Sequence, residues 1–354
     1  MADRWGSIYG WWFDMDYVRT HSQCCATLAT LGEFNPYHPS VPIIKWYKFN
    51  RFFGGLTHFG HRVRMREMET NGGIRMIEIR LSVGYDEYEN GERMTQLIEK
   101  LAASPDGEKL SILTIGEWGQ AYENSPDSFL DTLVKHRESF PLLRKIFIGD
   151  MSSDECEVSW INQTNLSPIL EAFPKLKSLT IKGSTDLSLD PLEHENLQEL
   201  TIICGGLPQE VLHQITNAKL PELQKLILYL GVEEYGFSGS VADVLPLLQS
   251  GLFPKLRYLG LKDSEIQDEI AIAIANAPIL DQLETLDLSY GTLTDTGSEA
   301  LIASERIKKL NHLNISYHYM TDAMVKRWKD SGMSVDVSDQ QDQEDEWRYP
   351  FLTE

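Results

Sequence analysis

The sequence predicts an α/β solenoid: a curved parallel sheet along a concave face, backed by helices on the convex face. Three observations predict it. A Leu-x-x-Leu-x-Leu pattern returns eight times along the 354 residues. Each copy joins a short alternating stretch, as a strand needs, to a following stretch with helical spacing in most copies. Phe173-Pro174, Leu220-Pro221 and Phe253-Pro254 stop a helix shortly before the next copy, because proline removes a donor and restricts the residue before it. One strand and one helix cannot bury their own apolar faces. Stacking the units in order does, with the leucines between the layers.

In chain order the copies are Leu110/Leu113/Ile115, Leu143/Ile146/Ile148, Leu176/Leu179/Ile181 and Leu197/Leu200/Ile202, then Leu223/Leu226/Leu228, Leu256/Leu259/Leu261, Leu283/Leu286/Leu288 and Leu310/Leu313/Ile315. Ile74/Ile77/Ile79 reads as an opening turn, and Val335 and Val337 as a closing strand. Ser125-Pro126 and Ser167-Pro168 place a capping hydroxyl before a proline suited to a first helical turn. The last three complete copies share a 27-residue period, with starts at Ile266-Gln267-Asp268, Leu293-Thr294-Asp295 and Met320-Thr321-Asp322. Gly332 is placed to stop the final helix.

Outside the repeats, residues 1–55 form an aromatic extension and 56–108 an amino-terminal cap of strand plus helix. Met76–Val83 alternates strictly; Met94, Leu97, Ile98 and Leu101 follow at helical spacing. An open solenoid end exposes strand backbone and apolar side chains, which a cap must cover. Residues 109–338 are the solenoid of about eight repeats. Residues 339–354 form an acidic tail, in which Asp339–Glu346, with five carboxylates, is expected to be solvated and mobile.

At these residues the chain resembles the leucine-rich-repeat family, and its 27-residue units resemble the ribonuclease-inhibitor-like branch. Ser264, Gly291 and His318 stand where many members carry Asn or Cys, so the usual stacked polar ladder is not expected. Ile115-Gly116-Glu117-Trp118-Gly119, Gly149-Asp150, Glu155-Cys156-Glu157-Val158-Ser159-Trp160-Ile161 and Leu286-Asp287-Leu288-Ser289 are similar to a group of bacterial cytoplasmic leucine-rich-repeat proteins. The fold so implied is a platform, and function lies in what is placed on it.

Charge narrows the partners. The net charge is −21, although residues 1–80 carry ten Lys/Arg against seven Asp/Glu. A field of that sign disfavours nucleic acid. No signal peptide and no apolar run long enough to span a bilayer is read, so a cytoplasmic protein without a membrane partner is expected. Cys24, Cys25, Cys156 and Cys204 have no zinc-like spacing and read as free thiols. No phosphate loop, dinucleotide fingerprint, nucleophile elbow or zinc-protease helix is present, so no catalytic residue, metal ligand or cofactor is assigned.

Three weaker constellations stand beside this reading. The first is His58 and His61 with His21, His38, Cys24 and Cys25 as a metal site. The second is Asp150, Asp154, Glu155 and Glu157 as a cation site. The third is Tyr317-His318-Tyr319 as an acid–base group.

Strand alternation orders the concave face into columns. Its partner-binding candidates are Phe147, Lys225, Ile227, Tyr229, Tyr258, Lys262, Asp287, His312 and Asn314, aromatic and apolar groups ringed by charge. The function expected is a non-catalytic scaffold that captures a protein or peptide on that face; the oligomeric state stays open. The alternative is a metal-dependent enzyme, or an accessory or regulatory subunit of a neighbouring enzyme.

Overall fold

The repeat leucines lie side by side in a single sheet. The computed structural model describes residues 45–47, 63–69, 75–342 and 347–352, and its strands stack in strict sequence order. The amino-terminal end comprises β1 (Lys45–Tyr47), β2 (Val63–Glu69) and β3 (Arg75–Val83), then α1 (Tyr85–Glu89) and α2 (Met94–Ala102). The units that follow are β4 (Leu110–Trp118) with α3 (Asp127–Lys135), β5 (Lys145–Ile148) with α4 (Ser167–Ala172), and β6 (Ser178–Lys182). Next come β7 (Glu199–Ile203) with α5 (Gln209–Thr216) and β8 (Lys225–Gly231) with α6 (Val241–Val244). The 27-residue units are β9 (Tyr258–Ser264) with α7 (Gln267–Ile274), β10 (Thr285–Asp287) with α8 (Asp295–Ala303), and β11 (His312–Asn314) with α9 (Asp322–Asp330). β12 (Val335–Asp336) closes the sheet.

β1–β2 and β2–β3 pair antiparallel. Every later pairing in the sheet is parallel. This is an α/β solenoid. β1 lies inside the stretch assigned to the aromatic extension, and pairs Lys45–Tyr47 with Met65–Glu67. The rest of the 1–55 extension lies outside the described residues.

All eight leucine triplets are buried: Leu179, Leu200, Leu226, Leu259, Leu286 and Leu313 are 0% exposed. They share one apolar core with the inward residues of the helices, such as Phe129, Leu212, Ile270 and Leu301. Burying one such side chain contributes about 1.5–3 kcal/mol before chain ordering is set against it. The ladder register aligns Leu313, Leu286, Leu259, Leu226, Leu200, Leu179, Ile146 and Leu113 in a single row.

Two local expectations are corrected. The opening strand is two residues out of the expected phase. Ile79 and Leu81 pair with Leu113 and Ile115, whereas Ile77 pairs with Leu110. Ile74 lies outside the described residues. A strict alternation fits either phase, and the bulges flanking Glu78–Leu81 select this one. Ser167 does not cap its helix. The Asn165 side chain accepts from the Ser167 N–H at 3.1 Å, and Ser167 Oγ is buried without a protein partner.

A different ladder stands in for the missing Asn/Cys ladder. Asp268 Oδ1 accepts from the Thr294 N–H at 2.8 Å, and Asp295 Oδ1 from the Thr321 N–H at 2.8 Å. Thr294 and Thr321 in turn cap α8 and α9, accepting from Thr296 and Met324 N–H. Each acidic helix start thus also holds the next repeat's cap, which couples successive units.

Candidate functional site

The strand ladder sets out the open face of the sheet. Lys145, Ser178, Glu199, Lys225, Tyr258, Thr285 and His312 form one row. Phe147, Thr180, Thr201, Ile227, Gly260, Asp287 and Asn314 form the next. Tyr229 pairs with Lys262 in a third.

Five of the nine candidate residues come together around β8–β10. Lys225 Nζ sits 4.7 Å from the Tyr258 ring centroid. Tyr258 Oη donates to Asp287 Oδ2 at 2.7 Å. Lys262 Nζ pairs with the same oxygen at 3.2 Å and lies 5.3 Å from the Tyr229 ring centroid. Asp287 Oδ1 accepts from the Ser289 N–H and hydroxyl. Lys262 and Asp287 are therefore not the solvent-facing groups that alternation implies. They are 9% and 1% exposed, and each neutralises the other beneath the tyrosines. A charge so placed is held only when paired and hydrogen-bonded. Ile227 is half-buried beside them. Phe147 stands apart on β5. His312 and Asn314 on β11 are turned to local bonds, with Ser334 Oγ and the Ser316 N–H.

The sequence reading missed a column at the strand ends, in β9 itself and just past β10 and β11. Asp263, Tyr290 and Tyr317 recur at a 27-residue spacing, and all three have left-handed backbones with φ of 55°, 71° and 55°. In the β6 unit the same place is held by Gly183, φ 96°. Side chains other than glycine's adopt this conformation at a cost of roughly 1 kcal/mol each. Its effect is to set Tyr290 beside Tyr229 and Tyr317 beside Tyr290. Tyr290 lies 6.4 Å from Tyr229 and 6.4 Å from Tyr317, centroid to centroid. Lys262 Nζ is 4.4 Å from the Tyr290 centroid, a cation–π contact in a partly desolvated place. The signal was present in the repeat period itself, two residues after Leu261, Leu288 and Ile315 of the 27-residue units.

Gln343–Glu346 of the acidic stretch lie outside the described residues, and Trp347–Leu352, just beyond it, runs against the tyrosine column. Phe351 stacks on Tyr290 at 4.8 Å and 27° and meets Tyr317 edge-on at 5.6 Å. The Phe351 N–H donates to Tyr290 O at 2.8 Å, and the Leu352 N–H to Asp263 Oδ1 at 2.7 Å. Tyr317 and Tyr319 hydroxyls donate to Tyr349 O at 3.3 and 3.0 Å.

Asp263 is 0% exposed, and its Oδ2 has no hydrogen-bond partner among the described residues. Burial pushes its carboxyl up to about 7, against the Leu352 N–H and Lys262, which pull it down. Because the folded value lies above the unfolded one, the stability it confers is present at low pH. It is lost as pH rises from about 4 through about 7. Urea midpoints measured at pH 5, 6, 7 and 8 should therefore fall less steeply in Asp263→Asn than in the parent. The difference is at most about 1.4 kcal/mol per pH unit within that window. Parallel profiles would contradict this.

Two of the three weaker constellations dissolve. His318 is fully buried, with Nε2 on Val337 O and Nδ1 accepting from the Met320 N–H. Burial lowers its pKa, so it is a neutral structural imidazole. Asp150 Oδ2 accepts from Arg80 Nε at 2.7 Å, while Glu155 accepts from the Ser152 N–H and hydroxyl. Among the described residues no group of three or more His, Cys, Asp or Glu is placed to hold a metal ion. His21, His38, His58, His61, Cys24 and Cys25 lie outside the described residues. Cys156 and Cys204 are buried free thiols. Near Arg80, a cavity of about 190 Å³ is flanked by Arg64, Glu87, Glu117 and Glu155. Burial, then Glu155 and Glu87, push Glu117 up to about 7. No described helix is long and apolar enough to cross a membrane.

Comparison with known proteins agrees with this architecture. A family model described as leucine rich repeat matches residues 254–275 and 283–301. The chain is similar to a Bacteroides fragilis protein whose crystal structure was determined as a structural-genomics target. The two are 39% identical over 74% of each chain, with a TM-score of 0.70. No curated protein matches. With the repeat ladder, its buried leucines and that identity together, the chain belongs to the leucine-rich-repeat family.

Proposed function

We propose that this protein is a non-catalytic scaffold, built of ribonuclease-inhibitor-like repeats, that captures a protein or peptide on the open face of its sheet. The observation that carries the reading is the array of Tyr229, Tyr258 and Tyr290 around the buried Lys262–Asp287 pair, with Tyr317 packed against Tyr290. Aromatic rings on a rigid floor supply contact area with little side-chain entropy to lose, which is why they dominate interface energetics. The buried ion pair beneath them fixes ring positions while leaving little net charge at the surface.

Tyr229→Ala with Tyr258→Ala should weaken a partner co-purified from the native cell at least about ten-fold, since each central aromatic contributes on the order of 2 kcal/mol. Circular dichroism and thermal unfolding must show the variant folded, because Tyr258 also bonds Asp287. Undiminished capture by a folded double variant would overturn the reading.

A further inference from the structure

The segment Tyr349-Pro350-Phe351-Leu352 lies across this aromatic array, eighty-nine residues from the Asp263 carboxylate it touches. Its contacts divide into two kinds. Main-chain atoms make the polar ones: N–H of Tyr349 to Tyr319 Oη at 3.1 Å, N–H of Phe351 to Tyr290 O, N–H of Leu352 to Asp263, and the Tyr349 carbonyl to two tyrosine hydroxyls. Any extended peptide carries these groups at the same spacing. The apolar contacts come from the buried Pro350 and from the Phe351 ring, stacked on Tyr290 and edge-on to Tyr317. Yet Phe351 keeps 59% of its surface exposed and Tyr349 54%. Pro350 between them is buried and Leu352 half-buried, so the segment is anchored at Pro350 while its two rings stay largely in solvent, as a bound peptide's would. Asp263 adds a second sign of a receptor. It is a buried carboxylate whose one protein-satisfied oxygen is satisfied by a tail N–H.

Resting on the scaffold reading above, we propose that the open face binds an extended peptide bearing an aromatic side chain followed by an apolar one, and that Tyr349–Leu352 is its built-in competitor. Charge specifies the partner further. The chain carries −21, and Arg348 places its guanidinium 5.9 Å from the Tyr319 ring centroid. A partner segment with a basic residue before its aromatic one reproduces both features. Tethering sets the tail's local concentration on the order of millimolar. A free peptide of equal intrinsic affinity therefore binds the intact chain poorly, and a partner must displace the tail.

The test uses a fluorescent peptide of sequence Trp-Arg-Tyr-Pro-Phe-Leu, titrated by anisotropy into three full-length proteins. These are the parent, Phe351→Asp, and Phe351→Asp with Tyr290→Ala. The expected result is binding to Phe351→Asp at least about ten-fold tighter than to the parent, as release of an occluded site requires, and loss of that gain when Tyr290→Ala is added. Equal affinity for the parent and Phe351→Asp would overturn the competitor role. A gain that survives Tyr290→Ala would overturn the site. Light scattering that shows a parent dimer dissociating on Phe351→Asp would assign the tail's place to a second copy and overturn the intramolecular contact. If Phe351→Asp proves unfolded, Phe351→Ala with Leu352→Gly replaces it under the same criteria. Failure here with continued loss of the co-purified partner in the Tyr229/Tyr258 variant would sink the inference alone. Failure of both would sink the scaffold reading.

Discussion

Gly231→Ala is expected to leave little folded protein, whereas Gly332→Ala, at nearly the same backbone angle, leaves the fold intact. Both glycines are left-handed, with φ of 74° and 76°. Gly332 ends α9 in open space, with nothing within 4 Å of an added Cβ. Its substitution brings only conformational strain, about 1 kcal/mol. Gly231 ends β8 against the Gly205–Gly206 backbone, where an added Cβ would overlap the Gly205 carbonyl. Neither partner can give way. Gly231 bridges Gly206, the Leu207 N–H donates to Leu230 O at 2.8 Å, and the Val232 N–H donates to Gly205 O at 2.9 Å. The methyl must therefore break the seam between two repeats in the middle of the stack. A loss above about 4 kcal/mol follows, the range reached only by such backbone and core clashes. Thermal unfolding of both variants checks it. A Gly231→Ala midpoint within a few degrees of Gly332→Ala would show the seam to be pliable.

What the sequence disclosed and what it withheld divide along a physical line. The leucines of the repeats were legible because each reports a local fact, the alternation of a strand, and repetition confirms it eight times. The rows of the open face followed at once, since the register of one parallel strand fixes that of the next. Ser167 and the phase of β3 were misread where two local solutions are nearly equivalent and neighbours choose between them. Lys262 and Asp287 were read as exposed because alternation tells which face a side chain leaves from, not what then covers it. The tyrosine column at 290 and 317 was hidden by its left-handed backbone, which takes it out of the strand alternation. The tail was hidden by composition. Five carboxylates between Asp339 and Glu346 mark a solvated stretch, and the four residues that dock lie just beyond them. A contact spanning eighty-nine residues leaves no trace in any local window.

Leu286→Ala should destabilise the protein by about 2–5 kcal/mol, as removal of a fully buried leucine does when its surroundings cannot close over the gap. Leu286 is 0% exposed and sits in the central row between Leu259 and Leu313. Strands on both sides hold those neighbours in register, so the cavity persists and is shared by three repeats. Thr285, one residue earlier, leaves the sheet on the opposite face, where it is half-buried between Tyr258 and His312. Thr285→Ala removes a hydroxyl and a methyl from a wet surface and should change stability by less than about 1 kcal/mol. The two positions share a strand, the same flanking strands and local chain entropy, and differ in the face they occupy. Repeat stacks unfold as coupled units, so the Leu286 variant should also lose cooperativity first in the 27-residue units. Hydrogen exchange at β9–β11 amides should accelerate there before it does in β4–β6. Equal urea midpoints for the two variants, or uniform acceleration across the sheet, would contradict a core that runs between the layers and transmits stability only from neighbour to neighbour.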